Sequence, residues 1–374
     1  MNNNPAPQKI LIVDDVPINI TILGSVLKDE YEVKVATNGA DALEIAMSDS
    51  PPDLILLDIM MPEMDGFEVC RRLKSSVRTH KIPVIFVTGL NSFTDEMKGF
   101  EIGAVDYIAK PISAPVVQAR VKTHLAMYDQ SRILEHKVRE RTNELIRTQD
   151  VTIHSLAVLA ECRDNETGGH IMRTQHYVLA LAKCLQNEPR FRNFLDAETM
   201  DLLFKSAPLH DIGKVGIPDS ILLKPGKLTY EEFEEMKKHT IYGEQALLRA
   251  ESALGRDRGS SFLRYAREIT SSHHEKWDGS GYPNGFSGED IPFSGRVMAL
   301  ADVYDALVSR RVYKPPFPHE KAFDIIVNGD GRVMPDHFDP DVLKAFVKIN
   351  ETFREIALKY ADSSEEREVL KIKL

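Results

Sequence analysis

Residues 53–58 read DLILLD, and residues 9–15 read KILIVDD. Each is a short apolar run rich in branched side chains, each ends on carboxylates, and neither alternates apolar with polar. A strand of that kind is covered on both faces, which happens when helices pack on the two sides of a parallel sheet. Three further short runs rich in branched side chains follow: EVKVAT (32–37), PVIFVTG (83–89) and DYIAKP (106–111). Between them lie segments such as INITILGSVLKD (18–29) and GFEVCRRLKSS (66–76), whose apolar residues recur three and four apart. Five strands alternating with five helices predict a doubly wound α/β domain over residues 8–125. Its ligand site should lie beyond the carboxyl ends of the strands.

Those ends carry the chemistry. Asp14 and Asp15 follow the first run, Asp58 closes the third, Thr88 the fourth and Lys110 the fifth. Three carboxylates on one rim repel each other unless a cation sits among them, and oxygen ligands of this kind select Mg²⁺. The metal and Lys110 would neutralise an incoming phosphoryl group, leaving Asp58 as nucleophile and Thr88 to hydrogen-bond the product. The bland alternative is that these acids only cap strands. Taken together, VDD, LLDIMMPEMDG, VTG and AKP resemble a response-regulator receiver domain. The resemblance implies that a cognate histidine kinase phosphorylates Asp58 and that Asp14, Asp15 and Asp58 hold Mg²⁺. Thr88, Tyr107 and Lys110 would be the switch residues.

From Pro115 to Asp150 the sequence favours helix, has no glycine, and mixes charges of both signs. Leu134, Val138 and Leu145 are spaced four and seven apart, with Val151 six beyond, and a helical linker is expected over residues 126–154. Two readings stay open: a parallel homodimeric coiled coil, or a solvated rigid spacer held by ion pairs.

Beyond residue 155 strand-like alternation disappears. MRTQHYVLALAKCLQ (172–186), AETMDLLFKSAPLHDIGK (197–214) and GRVMALADVYDALVSRR (295–311) all have helical spacing, which predicts an all-helical domain over 155–374. Five of the chain's twelve histidines fall here in a pattern: His170, His210, His239, His273 and His274, with Asp211 and Asp302. No local turn explains a set spread so widely, whereas a buried site for two or more metal ions does. Imidazole and carboxylate suit iron, manganese, nickel and zinc, and one Asp can bridge two ions. Paired ions suit phosphate-ester hydrolysis. Taken singly, Glu166 and His170 read as an exposed ion pair and His239 as a surface histidine; only the His-Asp and His-His pairs stand out.

In their order, HDIGK, HHEKWDGSGYP, ADVYDAL and HFDPDV resemble the HD-GYP family of metal-dependent phosphohydrolases. That resemblance implies hydrolysis of a cyclic dinucleotide, cyclic di-GMP, to pGpG and in some members to GMP. Carried over residue by residue, His170, His210, Asp211 and Asp302 hold one ion, and Asp211, His239, His273 and His274 the second. Glu166 matches a position that supports a third ion in part of the family. Asp211, His210 and Lys214 would be the catalytic set. Lys214, Arg311, Lys314 and Tyr282 would meet the substrate, although RVYK (311–314) departs from the commoner RPYR and loses an Arg fork. The expected reaction is in-line attack of activated water on phosphorus, with no side chain as nucleophile. Alternatives are another cyclic dinucleotide such as cyclic GMP-AMP, or a non-hydrolytic module that binds the dinucleotide or a diguanylate cyclase.

Composition narrows the partners. With 374 residues, 43% apolar and 28% charged, two globular domains are the natural expectation. A net charge of −10 lacks the basic footprint of a nucleic-acid binder. No eighteen-residue apolar run suggests a membrane span, and the start MNNNPAPQ reads as a short disordered arm. Cys70, Cys162 and Cys184 form no CxxC, which fits reduced thiols in the cytoplasm.

Overall fold

The computed structural model describes residues 7–89, 93–163, 168–253, 261–310 and 315–372. Residues 1–6 of the expected arm, Glu166, Arg311 and Lys314 lie outside the described residues. The chain forms two compact units, Met1–Asn143 and Glu144–Leu374.

In the first unit, β1 (Lys9–Val13), β2 (Glu32–Ala36), β3 (Leu54–Asp58), β4 (Val84–Thr88) and β5 (Asp106–Ala109) form one parallel sheet in the order β2-β1-β3-β4-β5. Helices α1 (Pro17–Leu27), α2 (Gly39–Met47), α3 (Gly66–Ser75), α4 (Phe93–Ile102) and α5 (Ala114–Glu161) follow the strands in turn. The period of two in a strand sorts its side chains between two cores. Leu11, Val13, Ile55 and Leu57 face Ala42, Ala46, Val69 and Leu73 of α2 and α3. Ile10, Ile12, Leu54 and Leu56 face Leu23 and Leu27 of α1 and Val117, Val121 and Leu125 of α5. Both cores are built from apolar side chains.

Local chemistry starts the helices. Asn38 caps α2 by accepting from the Asp41 amide, and Asp65 caps α3 by accepting from Glu68. Gly66 opens α3 against β3, where a Cβ would stand 2.2 Å from the Asp58 carbonyl oxygen. That close approach fixes the backbone carrying Asp58.

Helix α5 is longer than the linker read from the sequence. It is one helix from Ala114 to Glu161, so the last helix covering the sheet and the connector are continuous. Val117, Val121 and Leu125 bury one face, and Gln8–Asp129 and Lys81–Glu135 contacts follow along it. Leu134, Val138 and Leu145 are 53%, 64% and 71% exposed on one side of the helix. Val151 is also exposed, but six residues past Leu145 it lies off that seam.

Among the described residues the second unit contains only helices: α6 (Gly168–Leu185), α7 (Ala197–Ser206), α8 (Asp219–Leu222), α9 (Tyr230–Lys237), α10 (His239–Ala253), α11 (Phe262–Ser272), α12 (Phe293–Val308), α13 (His319–Asn328), α14 (Pro340–Lys359) and α15 (Ser364–Lys371). Its main core holds Tyr177, Leu181, Val297, Tyr304, Phe346 and Phe353. A second, smaller cluster joins Ile153, Ala157, Ile171, Leu209, Leu247 and Ala266. Two of those anchors, Ile171 and Leu209, are sequence neighbours of His170 and His210. Among the described residues no helix is long and apolar enough to cross a membrane.

Candidate functional site

The second unit brings the widely separated histidines together. His170 lies in the first turn of α6, and His239 opens α10. His273 and His274 follow α11, and Asp302 sits on α12. His210 and Asp211 occupy a tight connection between two short 3₁₀ segments, Ala207–Leu209 and Ile212–Gly216. Two groups of ligand atoms result: His170, His210 and Asp302, and Asp211, His239, His273 and His274. Within each group every ligand atom lies within 4.8 Å of the others.

Four of the five rings are tied at Nδ1. That atom lies 3.1 Å from the Ala207 carbonyl oxygen in His210, 2.8 Å from Met236 O in His239, and 3.1 Å from Ile269 O in His273. In His170 the partner is Asp305 Oδ2, at 2.8 Å. A carbonyl oxygen only accepts, so Nδ1 carries the proton and Nε2 keeps a lone pair. These lone pairs point at one another: His170 Nε2 and His210 Nε2 are 3.2 Å apart. The buried Nε2 atoms of His239 and His273, and Oδ1 of Asp211, make no hydrogen bond. Converging, unprotonated donors of this kind are costly to bury unless a cation takes them, so this donor set fits divalent transition metals.

Asp211 faces both groups. Its Oδ1 is 3.2 Å from His239 Nε2 and 3.5 Å from His273 Nε2, while Oδ2 is 3.3 Å from His210 Nε2. Lys214 Nζ lies 2.8 Å from the same Oδ2. Burial alone would raise the Asp211 carboxyl pKa, but Lys214 and His210 outweigh it and hold the group well below the usual carboxylate range. Burial, reinforced by the His273 and His239 rings, keeps His274 well below the ordinary imidazole value. His273 is lowered mainly by burial. Neutral rings are what ligation requires.

The loop after His274 is held by its own glutamate. Glu275, 2% exposed, accepts from the Asn284 and Phe286 amides at 2.7 and 3.1 Å. Tyr282 thereby lies over His274, with ring centroids 4.7 Å apart, and Phe233 meets it edge-on at 6.0 Å. Tyr282 thus packs directly against one of the clustered histidines.

Sequence reading missed Glu161. Its side chain is 3% exposed and its Oε1 is 3.9 Å from His170 Nε2, as is Asp302 Oδ1. The available signal was spacing: Ile153, Ala157 and Glu161 recur every four residues, which puts a carboxylate on a face that is otherwise apolar and buried.

In the first unit, Asp14, Asp15 and Asp58 also bring ligand oxygens within 4.8 Å of one another. Lys110 Nζ lies 2.9 Å from Asp14 Oδ2 and 3.1 Å from Asp58 Oδ2. Burial pushes the Asp58 carboxyl up, Lys110 partly offsets it, and Asp14 adds to the rise. Thr88 is buried at the end of β4. The Tyr107 ring lies edge-on to Phe100 at 6.3 Å, with the Arg120 guanidinium 5.2 Å from its centroid.

A doubly wound sheet with an acidic rim, followed by a helical unit built round a His–Asp cluster, defines a two-domain response regulator. A family model described as "Response regulator receiver domain" matches residues 10–122, and one described as "HD domain" matches residues 162–342. A protein of Vibrio cholerae serotype O1 named "Probable cyclic di-GMP phosphodiesterase" is 51% identical over 360 residues, covering 94% of this chain and 80% of that protein. "Cyclic di-GMP phosphodiesterase response regulator RpfG" of Xanthomonas campestris pv. campestris is 34% identical over 365 residues, covering 95% and 91%. "3'3'-cGAMP-specific phosphodiesterase 2" of Vibrio cholerae is 40% identical over 205 residues, which is 55% of this chain and 35% of that protein. The chain belongs to the family of response regulators that join a receiver domain to an HD domain.

Proposed function

We propose that this chain hydrolyses cyclic di-GMP to linear pGpG, with GMP as a further product, under control of phosphorylation at Asp58. The observation that carries this reading is Asp211, whose two oxygens each face a different group of buried ligand atoms. His170, His210, Asp211 and Asp302 would hold one ion, and Asp211, His239, His273 and His274 the other. Glu166 is the proposed supporter of a third. Iron, manganese or nickel bound there would supply Lewis acidity at the scissile phosphate. The chain's own part is preorganisation, because the Nδ1 hydrogen bonds aim the rings beforehand. Lys214 places a cation beside Asp211 to meet a phosphate oxygen, and Tyr282, packed against His274, stands where it can meet the substrate. Arg311 and Lys314 are assigned to the phosphodiester as well.

The substrate is supported by the names of the relatives, two of which specify cyclic di-GMP. The relative specific for 3'3'-cGAMP makes that dinucleotide the second reading. Metal-loaded protein offered both nucleotides, with products separated by chromatography, should turn over cyclic di-GMP faster. The opposite order would reassign the substrate, and bound metal with no turnover of either would leave a binding module.

Asp58, with Mg²⁺ among Asp14, Asp15 and Asp58, is the proposed acceptor from a histidine kinase in the cytoplasm. With acetyl phosphate and Mg²⁺, intact mass should show one added phosphoryl group on the wild-type chain and none on Asp58→Asn. Equal labelling of both would place the phosphate elsewhere. Homodimerisation through the receiver and α5 is part of the same reading, with diguanylate cyclases as further partners. Leu145→Glu puts a charge on the exposed seam with Leu134 and Val138 and should shift sedimentation from dimer to monomer at micromolar concentration. Unchanged sedimentation would favour the solvated spacer.

A further inference from the structure

Backbone carbonyls orient three of the imidazoles, but a side chain orients His170. Asp305, 1% exposed, offers Oδ2 to His170 Nδ1 at 2.8 Å. Both oxygens of Asp305 are also gripped by Arg173, whose Nε donates to Oδ1 at 2.7 Å and Nη2 to Oδ2 at 3.0 Å. Ser309 completes this shell, accepting from Arg173 Nη2 at 2.8 Å and donating to Asp305 Oδ2 at 3.1 Å. Arginine has no acceptor atom, so Asp305 is surrounded by donors and His170 adds one more from Nδ1. That leaves Nε2 turned toward His210 and Asp302.

The remaining arm of Arg173 leads elsewhere. Nη1 donates to the Tyr360 carbonyl oxygen at 2.9 Å and to Asp362 Oδ2 at 2.8 Å. The other oxygen of Asp362 accepts from the Gly169 amide at 3.2 Å, one residue before His170. The contacts therefore close a ring: His170, Asp305, Arg173, Asp362, Gly169. Tyr360 and Asp362 lie between α14 and α15, past residue 342, where the match to the HD domain model ends.

We propose that Asp305, Arg173 and Asp362 are positioning residues for His170, which makes the segment joining α14 to α15 part of the support of the metal centre. The ring holds the imidazole from two directions. Asp305 fixes the tautomer and the plane of the ring, and Asp362 fixes the backbone at the start of α6. Arg173 ties the two carboxylates together. This rests on the reading of the His–Asp cluster as a site for two ions. It predicts a selective defect: the ion at His170, His210 and Asp302 loosens, while the one at His239, His273 and His274 does not. Carboxylates that orient a ligating histidine in this way typically carry about 10–100-fold in metal affinity.

The test is Co²⁺ titration of metal-depleted full-length protein, followed by visible absorption and chelator competition. Asp305→Asn should weaken one of two Co²⁺ equivalents about 10–100-fold and leave the other within roughly threefold. Arg173→Lys, which keeps charge but loses the fork, should weaken the same equivalent less. Asp362→Asn, at a position with 24% side-chain exposure, serves if Asp305→Asn does not fold, and should loosen the same equivalent several-fold. Loss confined to one equivalent supports the relay. Equal weakening of both equivalents, or no change in folded variants, overturns it while the metal-centre reading stands. A wild-type chain that takes up no Co²⁺ overturns both.

Discussion

Asp211→Ala is expected to lose bound metal and cyclic dinucleotide hydrolysis together, with turnover falling on the order of a thousand-fold or more, the several kcal/mol that metal ions give a phosphoryl-transfer transition state. The two oxygens of Asp211 meet both groups of ligand side chains. Its Oδ1 stands 3.2 Å from His239 Nε2, and its Oδ2 stands 3.3 Å from His210 Nε2 and 2.8 Å from Lys214. Removing it also leaves the Lys214 ammonium, only 9% exposed, beside His210 with that carboxylate gone. A buried cation in that position repels an incoming metal ion as well as failing to ligate it. Elemental analysis and a product assay on the same preparation check the prediction. Normal metal content with lost turnover would make Asp211 a group acting on substrate rather than a shared ligand.

Gly213→Ala should be nearly as damaging, for a reason unconnected with charge. A Cβ at Gly213 would stand 1.8 Å from the His239 carbonyl oxygen and 2.5 Å from the Gly243 amide nitrogen. Both are backbone atoms of α10 and neither can turn aside. The segment carrying Asp211 must then lift away from the helix carrying His239, or the unit must unfold. Overpacking against fixed backbone sets the expected destabilisation at about 3 kcal/mol. Metal retention should fall in whatever fraction stays folded. Thermal melting followed by metal analysis reads both effects, and an unshifted melt with full metal content would show that the two elements are not so closely apposed.

How far the sequence could be read depended on whether a signal was local. The strands were legible because Ile10 to Val13 and Leu54 to Leu57 are buried without a break, and only a sheet covered on both faces tolerates that. The histidines were legible as a set because their motifs recur in a fixed order, although no spacing argument brings residue 170 to residue 302. Helix α5 was legible as a helix but not in its limits. Val117, Val121 and Leu125 face the sheet on the same helix that ends at Glu161, so the expected limits of 126 and 154 both fall inside it.

What stayed hidden was the support of the ligands. Arg173 meets Asp305 across 132 residues and Asp362 across 189, and no local spacing links the three. Glu161 left a trace in the four-residue spacing with Ile153 and Ala157, while Gly213 left none, since its role depends on a carbonyl in another helix. Long-range packing of this kind becomes visible only when the elements are assembled.

The most direct test of the account is the transition-metal content of the full-length chain, measured alongside cyclic di-GMP hydrolysis on one preparation before and after chelation. The account predicts two ions per chain with turnover, loss of both on chelation, and return of both when manganese or ferrous iron is restored. Hydrolysis that persists at the same rate in protein stripped of transition metal would contradict it.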